Sequence, residues 1–208
     1  MQFGVIRGAF AAAAALLLVT AAAHAADGDP ARGQKRFYSC LGCHGIDGYR
    51  NAYPNYSVPR LQHQHAAYIV AALNEYRAGQ RPHATMHAQA ASMSDQDIAD
   101  IAAYLQGEPV KPTTEVVGKT PDQAATCAAC HGVNGTGVDS PLDPKPAVLA
   151  GQHVDYLTQA IASYRNGRRK NAVMNGMAAA LKSDADVEAL AKYFASQKST
   201  LGTVPRPR

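Results

Sequence analysis

All four cysteines of this 208-residue chain fall in two pentads of one form, Cys40-Leu41-Gly42-Cys43-His44 and Cys127-Ala128-Ala129-Cys130-His131. Cys-x-x-Cys-His is the attachment pattern of a c-type haem, in which two thiols bond the porphyrin and the adjacent histidine ligates iron. The spacing has a physical cause. Residues three apart share a helix face, so both sulfurs reach one edge of the macrocycle, and the next imidazole turns beneath the metal. Each iron then has a second axial position, and internal repetition nominates its ligand. Met86 and Met174 stand at matched places in two copies of one pattern, whereas Met93 stands opposite Leu181 and Met177 opposite Gln89. Met93, opposite a leucine, reads as core filler. The expected axial pairs are His44 with Met86 and His131 with Met174.

Other uses of these residues leave something unexplained. A disulfide between cysteines three apart closes a very short loop and gives the histidines no task. A zinc site pairs its Cys-x-x-Cys units across about 15–20 residues, and here a whole repeat separates them. His65 and His153 match one another at the start of a predicted helix, where a cap or surface role suffices. His63, His83 and His87 have no histidine opposite them; His87, beside Met86, is a rival ligand for the first iron. A ligating histidine usually donates its other ring N–H to an oxygen. Pro59 and Pro146 are the nominated carbonyls, although their offsets to the following matched leucine differ by one residue.

The elements that hold these groups repeat with them. With Cys40 set on Cys127, the chain follows itself at an offset of 87 to 89 residues. Leu61-Gln62-His63-Gln64-His65 falls on Leu149-Ala150-Gly151-Gln152-His153, and Tyr76-Arg77-Ala78-Gly79 falls on Tyr164-Arg165-Asn166-Gly167. Two copies of this length are tandem domains rather than a solenoid. Each copy reads as helical. Asp29-Pro30 and Thr120-Pro121 look like an N-cap followed by proline at the first helical position. Ile69, Ala72, Leu73 and Tyr76 fall at helical spacing, as do Leu157, Ala160, Ile161 and Tyr164. Ser94-Asp95-Gln96-Asp97 and Ser183-Asp184-Ala185-Asp186 resemble capping boxes. They open stripes of Ile98, Ile101, Ala102, Leu105 and of Val187, Leu190, Ala191, Phe194. Gly107 is a plausible terminator, and the prolines and glycine of residues 108–119 mark a linker. The expected division is a domain over 26–107, the linker over 108–119 and a second domain over 120–208.

Ahead of the first domain, Arg7, the apolar stretch Ala9 to Ala23 and Ala23-His24-Ala25 form a secretory signal, residues 1–25, cleaved before Ala26. The stretch is short for a membrane span, and the expected compartment is the periplasm. The formal charge of +4 becomes +3 once Arg7 leaves, and four haem propionates would bring the loaded protein near neutrality. No Trp is present and no basic stripe alternates with aromatics, so nucleic acid is not an expected partner. The basic excess lies in the second copy, where Arg165, Arg168, Arg169 and Lys170 form either a docking patch for an acidic redox protein or a surface neutralising propionates. Tyr49, Tyr53 and Tyr56 enrich the loop after the first pentad, which is expected to pack on a haem edge or the other domain. Domains this small, without Trp, lack apolar mass, and porphyrins would supply it.

Taken with both pentads, the Leu-Ala-Gly-Gln-His run at 149–153, the paired Tyr-Arg-x-Gly segments and Ser94 to Tyr104, the mature chain resembles the cytochrome c4 family of periplasmic dihaem class I cytochromes. The resemblance implies an all-α fold of two tandem class I cytochrome c domains, each around one covalently attached haem c. It implies thioether bonds at Cys40, Cys43, Cys127 and Cys130, His44/Met86 and His131/Met174 axial coordination, and propionate edges near the domain interface. Copy one departs from the family pattern at His63 and Gln89, where copy two has Gly151 and Met177.

The expected function is transport of single electrons, without catalysis. The donor would be a cytochrome bc complex or a periplasmic dehydrogenase, the acceptor a terminal oxidase, with peripheral docking to such membrane complexes. Two alternatives keep the same haems. One is a dedicated cytochrome subunit of a dehydrogenase, such as a flavin-linked sulfur oxidiser. The other is a dihaem peroxidase, which needs an iron with an open or readily vacated site.

Overall fold

Two sets of helices carrying the same apolar stripes build two cores in the computed structural model, which describes residues 27–108, 113, 115–137, 140, 142 and 145–206. The export signal expected over residues 1–25, and part of the linker, lie outside the described residues. In the first domain, α1 (Pro30–Phe37) passes through a 3-10 turn (Tyr38–Cys40) into α2 (Leu41–His44), followed by α3 (Ala66–Arg77), α4 (Ala84–Ala91) and α5 (Asp95–Gln106). The second has α6 (Ala124–His131), α7 (Val154–Arg165), α8 (Ala172–Ala179) and α9 (Asp184–Ala195). The architecture is all-helical, with two cytochrome c domains. Among the described residues no helix is long and apolar enough to cross a membrane.

The stripes face where their periodicity places them. Ile69, Ala72, Leu73 and Tyr76 are the buried residues of α3. Ile98, Ile101, Ala102 and Leu105 line the buried side of α5, and Val187, Leu190, Ala191 and Phe194 that of α9. Helix α3 packs on α4 and α5, and α7 packs on α8 and α9. Both capping boxes form. Ser94 and Ser183 each accept from the amide three residues on, while Asp97 and Asp186 reach back to the cap amides.

The entrances to the two pentads differ, which corrects one expectation. Asp29 caps α1 with Pro30 at its first position, accepting from Ala31 and Arg32 N–H. Thr120-Pro121 does not open the equivalent helix: α6 begins at Ala124 and has no side-chain cap. Thr120 Oγ1 instead bonds Tyr193 Oη at 3.2 Å, four residues ahead of the helix. Helix α1 crosses α5 at close range. A Cβ on Gly28 would lie 2.1 Å from Ala99 O, and one on Gly33 2.0 Å from Asp100 O. Asp100 locks that crossing, accepting from Asp29 N–H at 2.7 Å, Arg32 at 2.8 and 3.0 Å, and Gln96 at 2.8 Å.

Candidate haem sites

The pentads lie where helices deliver both thiols and an imidazole. Cys40 ends the 3-10 turn, Cys43 and His44 lie in α2, and Cys127, Cys130 and His131 share α6. All four thiols are free and partly accessible. Burial pushes the Cys40 and Cys127 thiols up, and both pack against their domain's core.

His44 and His131 are held alike. His44 Nδ1 lies 3.2 Å from Pro59 O, and His131 Nδ1 lies 2.8 Å from Ala147 O. Each contact fixes the ring and leaves Nε2 for a metal. Burial lowers the His44 pKa to about 4 and moves His131 in the same direction, so both rings stay neutral, as ligation requires. The second carbonyl is a correction, because Pro146 had been the expected acceptor. Ala147 lies 88 residues after Pro59, in step with the surrounding repeat, whereas Pro146 O faces His65 Nδ1 at 2.7 Å.

Met86 and Met174 sit at the same place on two short helices, α4 and α8. Each methionine's backbone N–H donates to its helix's N-cap: Met86 to His83 Nδ1 at 3.3 Å, Met174 to Asn171 Oδ1 at 3.0 Å. His83 is therefore a cap. His87 is a brace, its Nδ1 2.8 Å from Tyr76 O, while its counterpart Asn175 donates to Tyr164 O at 2.6 Å. That contact matches His87 to a structural asparagine rather than to a ligand. Met93 and Leu181 pack against their respective cores, and Met86 packs against the first as well. Sequence reasoning missed α4 and α8 themselves, whose apolar residues follow no stripe.

Between the domains, two arginines lie under tyrosines. Arg81 and its counterpart Arg169 are 2% and 5% exposed. Arg81 Cζ lies 4.8 Å from the Tyr76 ring centre, and Arg169 Cζ lies 5.6 and 5.5 Å from those of Tyr156 and Tyr164. Arg81 Nη2 donates to Tyr68 Oη at 3.0 Å and to Tyr156 Oη at 2.9 Å, across the interface. Its Nε and Nη1 are buried without a hydrogen-bond partner, and Glu75 stands 3.8 Å away. Among the described residues Arg81 has this one carboxylate at the edge of ion-pair range, and two such buried cations call for further anions. Haem propionates fit that demand, as the thiols and neutral imidazoles fit the rest of the group. The basic run of the sequence is dismantled here: Arg169 is buried, Arg165 pairs with Asp184, and Arg168 and Lys170 remain exposed.

The repeated Gln-His pairs also acquire a role that sequence reasoning missed. Gln64 donates to Val148 O at 3.0 Å and accepts from Val148 N–H at 2.7 Å. Gln152 exchanges the same two bonds with Arg60, at 3.0 Å each. Arg60 and Val148 are themselves counterparts, so each domain reads the other's backbone reciprocally, as a two-fold interface does. Asp155 accepts from Ser57 N–H at 2.9 Å and Oγ at 3.0 Å and pairs with Arg50 at 2.8 Å. Tyr56 is buried 6.1 Å from the Tyr156 ring, whereas Tyr53 is 93% exposed. The tyrosine loop thus packs on the other domain through Tyr56.

The family model described as cytochrome c matches residues 30–108 and 118–198. Cytochrome c4 of Azotobacter vinelandii is 34% identical over 203 residues, covering 85% of this chain and 92% of that one. A thiosulfate dehydrogenase electron acceptor of Stutzerimonas stutzeri is 32% identical over 213 residues, covering 91% and 95%. The crystal structure of reduced recombinant cytochrome c4 from Pseudomonas stutzeri superposes with a TM-score of 0.61 at 30% identity, over 82% of this chain and all of that one, 100%.

Proposed function

The chain belongs to the cytochrome c4 family of dihaem electron carriers, and from that premise we propose that it relays single electrons in the periplasm from a cytochrome bc complex or a dehydrogenase to a terminal oxidase. Two covalently attached haem c groups are implied by the two domains and their pentads. In our reading Cys40, Cys43, Cys127 and Cys130 carry the thioether bonds, and the axial pairs are His44/Met86 and His131/Met174. When bound, each haem supplies one iron that cycles between two oxidation states.

The chain's own residues keep that cycle from becoming anything else. His44 and His131 keep fixed tautomers through Pro59 O and Ala147 O. Met86 and Met174 are held on capped helices, where each would give its iron a second protein ligand and so exclude oxygen or peroxide. Arg81 and Arg169 would offer buried positive charge to haem propionates reaching the interface. The observation that carries the reading is this duplication, in which both domains hold an imidazole and a thioether by corresponding contacts.

An optically followed potentiometric titration of the secreted holoprotein tests it. Two bonded haems, each with an iron–thioether absorption band, are expected. Rapid peroxide consumption, or one high-spin iron, would replace the carrier with a peroxidase. A dehydrogenase as donor is supported by the relative named as a thiosulfate dehydrogenase electron acceptor. Stable co-purification with a dehydrogenase would make this chain a dedicated subunit instead of a free carrier.

A further inference from the structure

Beyond α9 the chain returns to the first domain along a path the second domain already uses. This stretch, residues 199–206, follows the matched span, which ends at 198. Gly202 O accepts from Leu61 and Gln62 N–H at 3.1 and 3.0 Å, and Gly202 N–H donates to Gln62 O at 3.1 Å. Thr203 Oγ1 donates to Asp47 Oδ1 at 3.1 Å. Val204 N–H donates to His44 O at 3.3 Å, and its side chain, 2% exposed, is part of the first domain's core.

In the second domain a local loop makes the corresponding contacts, except that Gly135 N–H turns to Gly132 O. Gly135 O accepts from Leu149 and Ala150 N–H at 2.7 and 3.0 Å, and Gly137 N–H donates to His131 O at 2.7 Å. Thr136 Oγ1 donates to Asn134 Oδ1 at 3.0 Å. Leu61 and Gln62 correspond to Leu149 and Ala150, Asp47 to Asn134, and His44 to His131. Gly202-Thr203-Val204 therefore stands in the first domain where Gly135-Thr136-Gly137 stands in the second. The first domain's own counterpart, Gly48-Tyr49-Arg50, is diverted: Tyr49 O accepts from Val58 N–H at 2.8 Å, Arg50 bridges to Ser57, and Arg50 also pairs with Asp155.

We propose that Gly202–Val204 is a positioning segment for the first haem, closing the shell behind His44 as Gly135–Gly137 closes it behind His131. This rests on His44 being the first iron's axial ligand. The strap holds both sides of the contact that orients the ring. It bonds the carbonyl of His44 itself, and it pairs with residues 61–62, just past the Pro59 carbonyl that fixes Nδ1. Burying Val204 keeps water from that side of the site. Water admitted there would favour the more highly charged oxidised iron and lower its potential.

The test uses holoprotein ending at Leu201, which keeps that residue's packing on Val148 and Ala150, with full-length Val204→Ser as a milder variant. We expect one of the two reduction potentials to fall while the other stays. Leu61 and Gln62 amides should exchange roughly tenfold faster or more, and Leu149 and Ala150 amides should keep their protection. Unchanged potentials, two potentials moving together, or unchanged protection at Leu61 and Gln62 would each overturn the proposal. Should the shortened chain fail to load haem, Val204→Ser carries the same test, with a smaller shift of the same sign. An error about His44 would show separately, as a missing His/Met signature in the unaltered protein.

Discussion

Met86 and Met174 occupy the same place in two domains yet have different neighbours. Met86 packs against the first core, whereas Met174 lies between Val173 and Met177, which are 61% and 43% exposed. Thr85 and Gln89 hold the corresponding positions in the first domain. Met86→His should abolish one iron–thioether band and lower one reduction potential, because a histidine pair holds iron at lower potential than histidine with methionine. Voltammetry with both haems resolved checks it, and two shifted potentials would contradict the assignment. His87→Ala gives the complementary result. Losing the contact with the Tyr76 carbonyl should cost about 1 kcal/mol of stability, with no change in either haem's spectrum. A spectral change would make His87 a ligand. His63 shows where a side chain replaces conformational freedom: its φ is 63°, against 69° at its counterpart Gly151. A non-glycine residue there carries strain of about 1–2 kcal/mol. The His63 N–H bond to Leu105 O at 2.7 Å helps to hold it.

At the scale of elements, the crossing of α1 and α5 separates the domains. Backbones meet there because Gly28 and Gly33 present no Cβ to the carbonyls of Ala99 and Asp100. Gly33→Ala forces the helices apart and should cost about 2 kcal/mol or more, read as a lower melting temperature of the holoprotein. The same crossing is sensitive to acid. Arg32 bonding, together with the Asp29 amide and Gln96, holds the Asp100 carboxyl well below the usual carboxylate range. Its folded pKa lies below its unfolded one, so the carboxylate stabilises the fold above about pH 4. That contribution disappears as pH falls further. Asp100→Asn should therefore flatten the acid limb of a stability profile, and an unchanged limb would show that other carboxylates govern it.

For the whole molecule, the two domains are joined by backbone reading rather than by a large charged face. Gln64→Leu leaves the Val148 N–H and C=O without their partners, and Gln152→Leu does the same to Arg60. Each should cost about 1–3 kcal/mol, and the pair together should split one thermal transition into two. A single unsplit transition in the double variant would mean that the remaining contacts, the arginine–tyrosine cluster and the Asp155 clamp among them, suffice to couple the domains. Asp155 adds a pH-sensitive clamp. Burial opposes its ionisation, but the Ser57 amide and hydroxyl, its own domain's Tyr156 amide and Arg50 outweigh that and lower its pKa. The clamp is accordingly present at neutral pH and weakens as pH falls below the ordinary carboxylate range.

Local chemistry made the haem pentads, the helix stripes and both capping boxes readable in one dimension, because each depends on residues within a turn or two of each other, whereas the duplicate methionines needed the repeat. The repeat added the domain pairing, since two copies constrain each other's alignment. What the chain could not disclose was whatever depends on distant segments meeting. Thr120 was free to cap until Tyr193 took its hydroxyl. The carbonyl for His131 is that of Ala147, while Pro146 O faces His65 of the other domain. Arg169 read as surface until two tyrosines covered it. A hydrogen bond or a buried charge is specified by its partner, and only the folded chain selects that partner, whether it lies 16 residues away, as Ala147 does from His131, or 73, as Tyr193 does from Thr120.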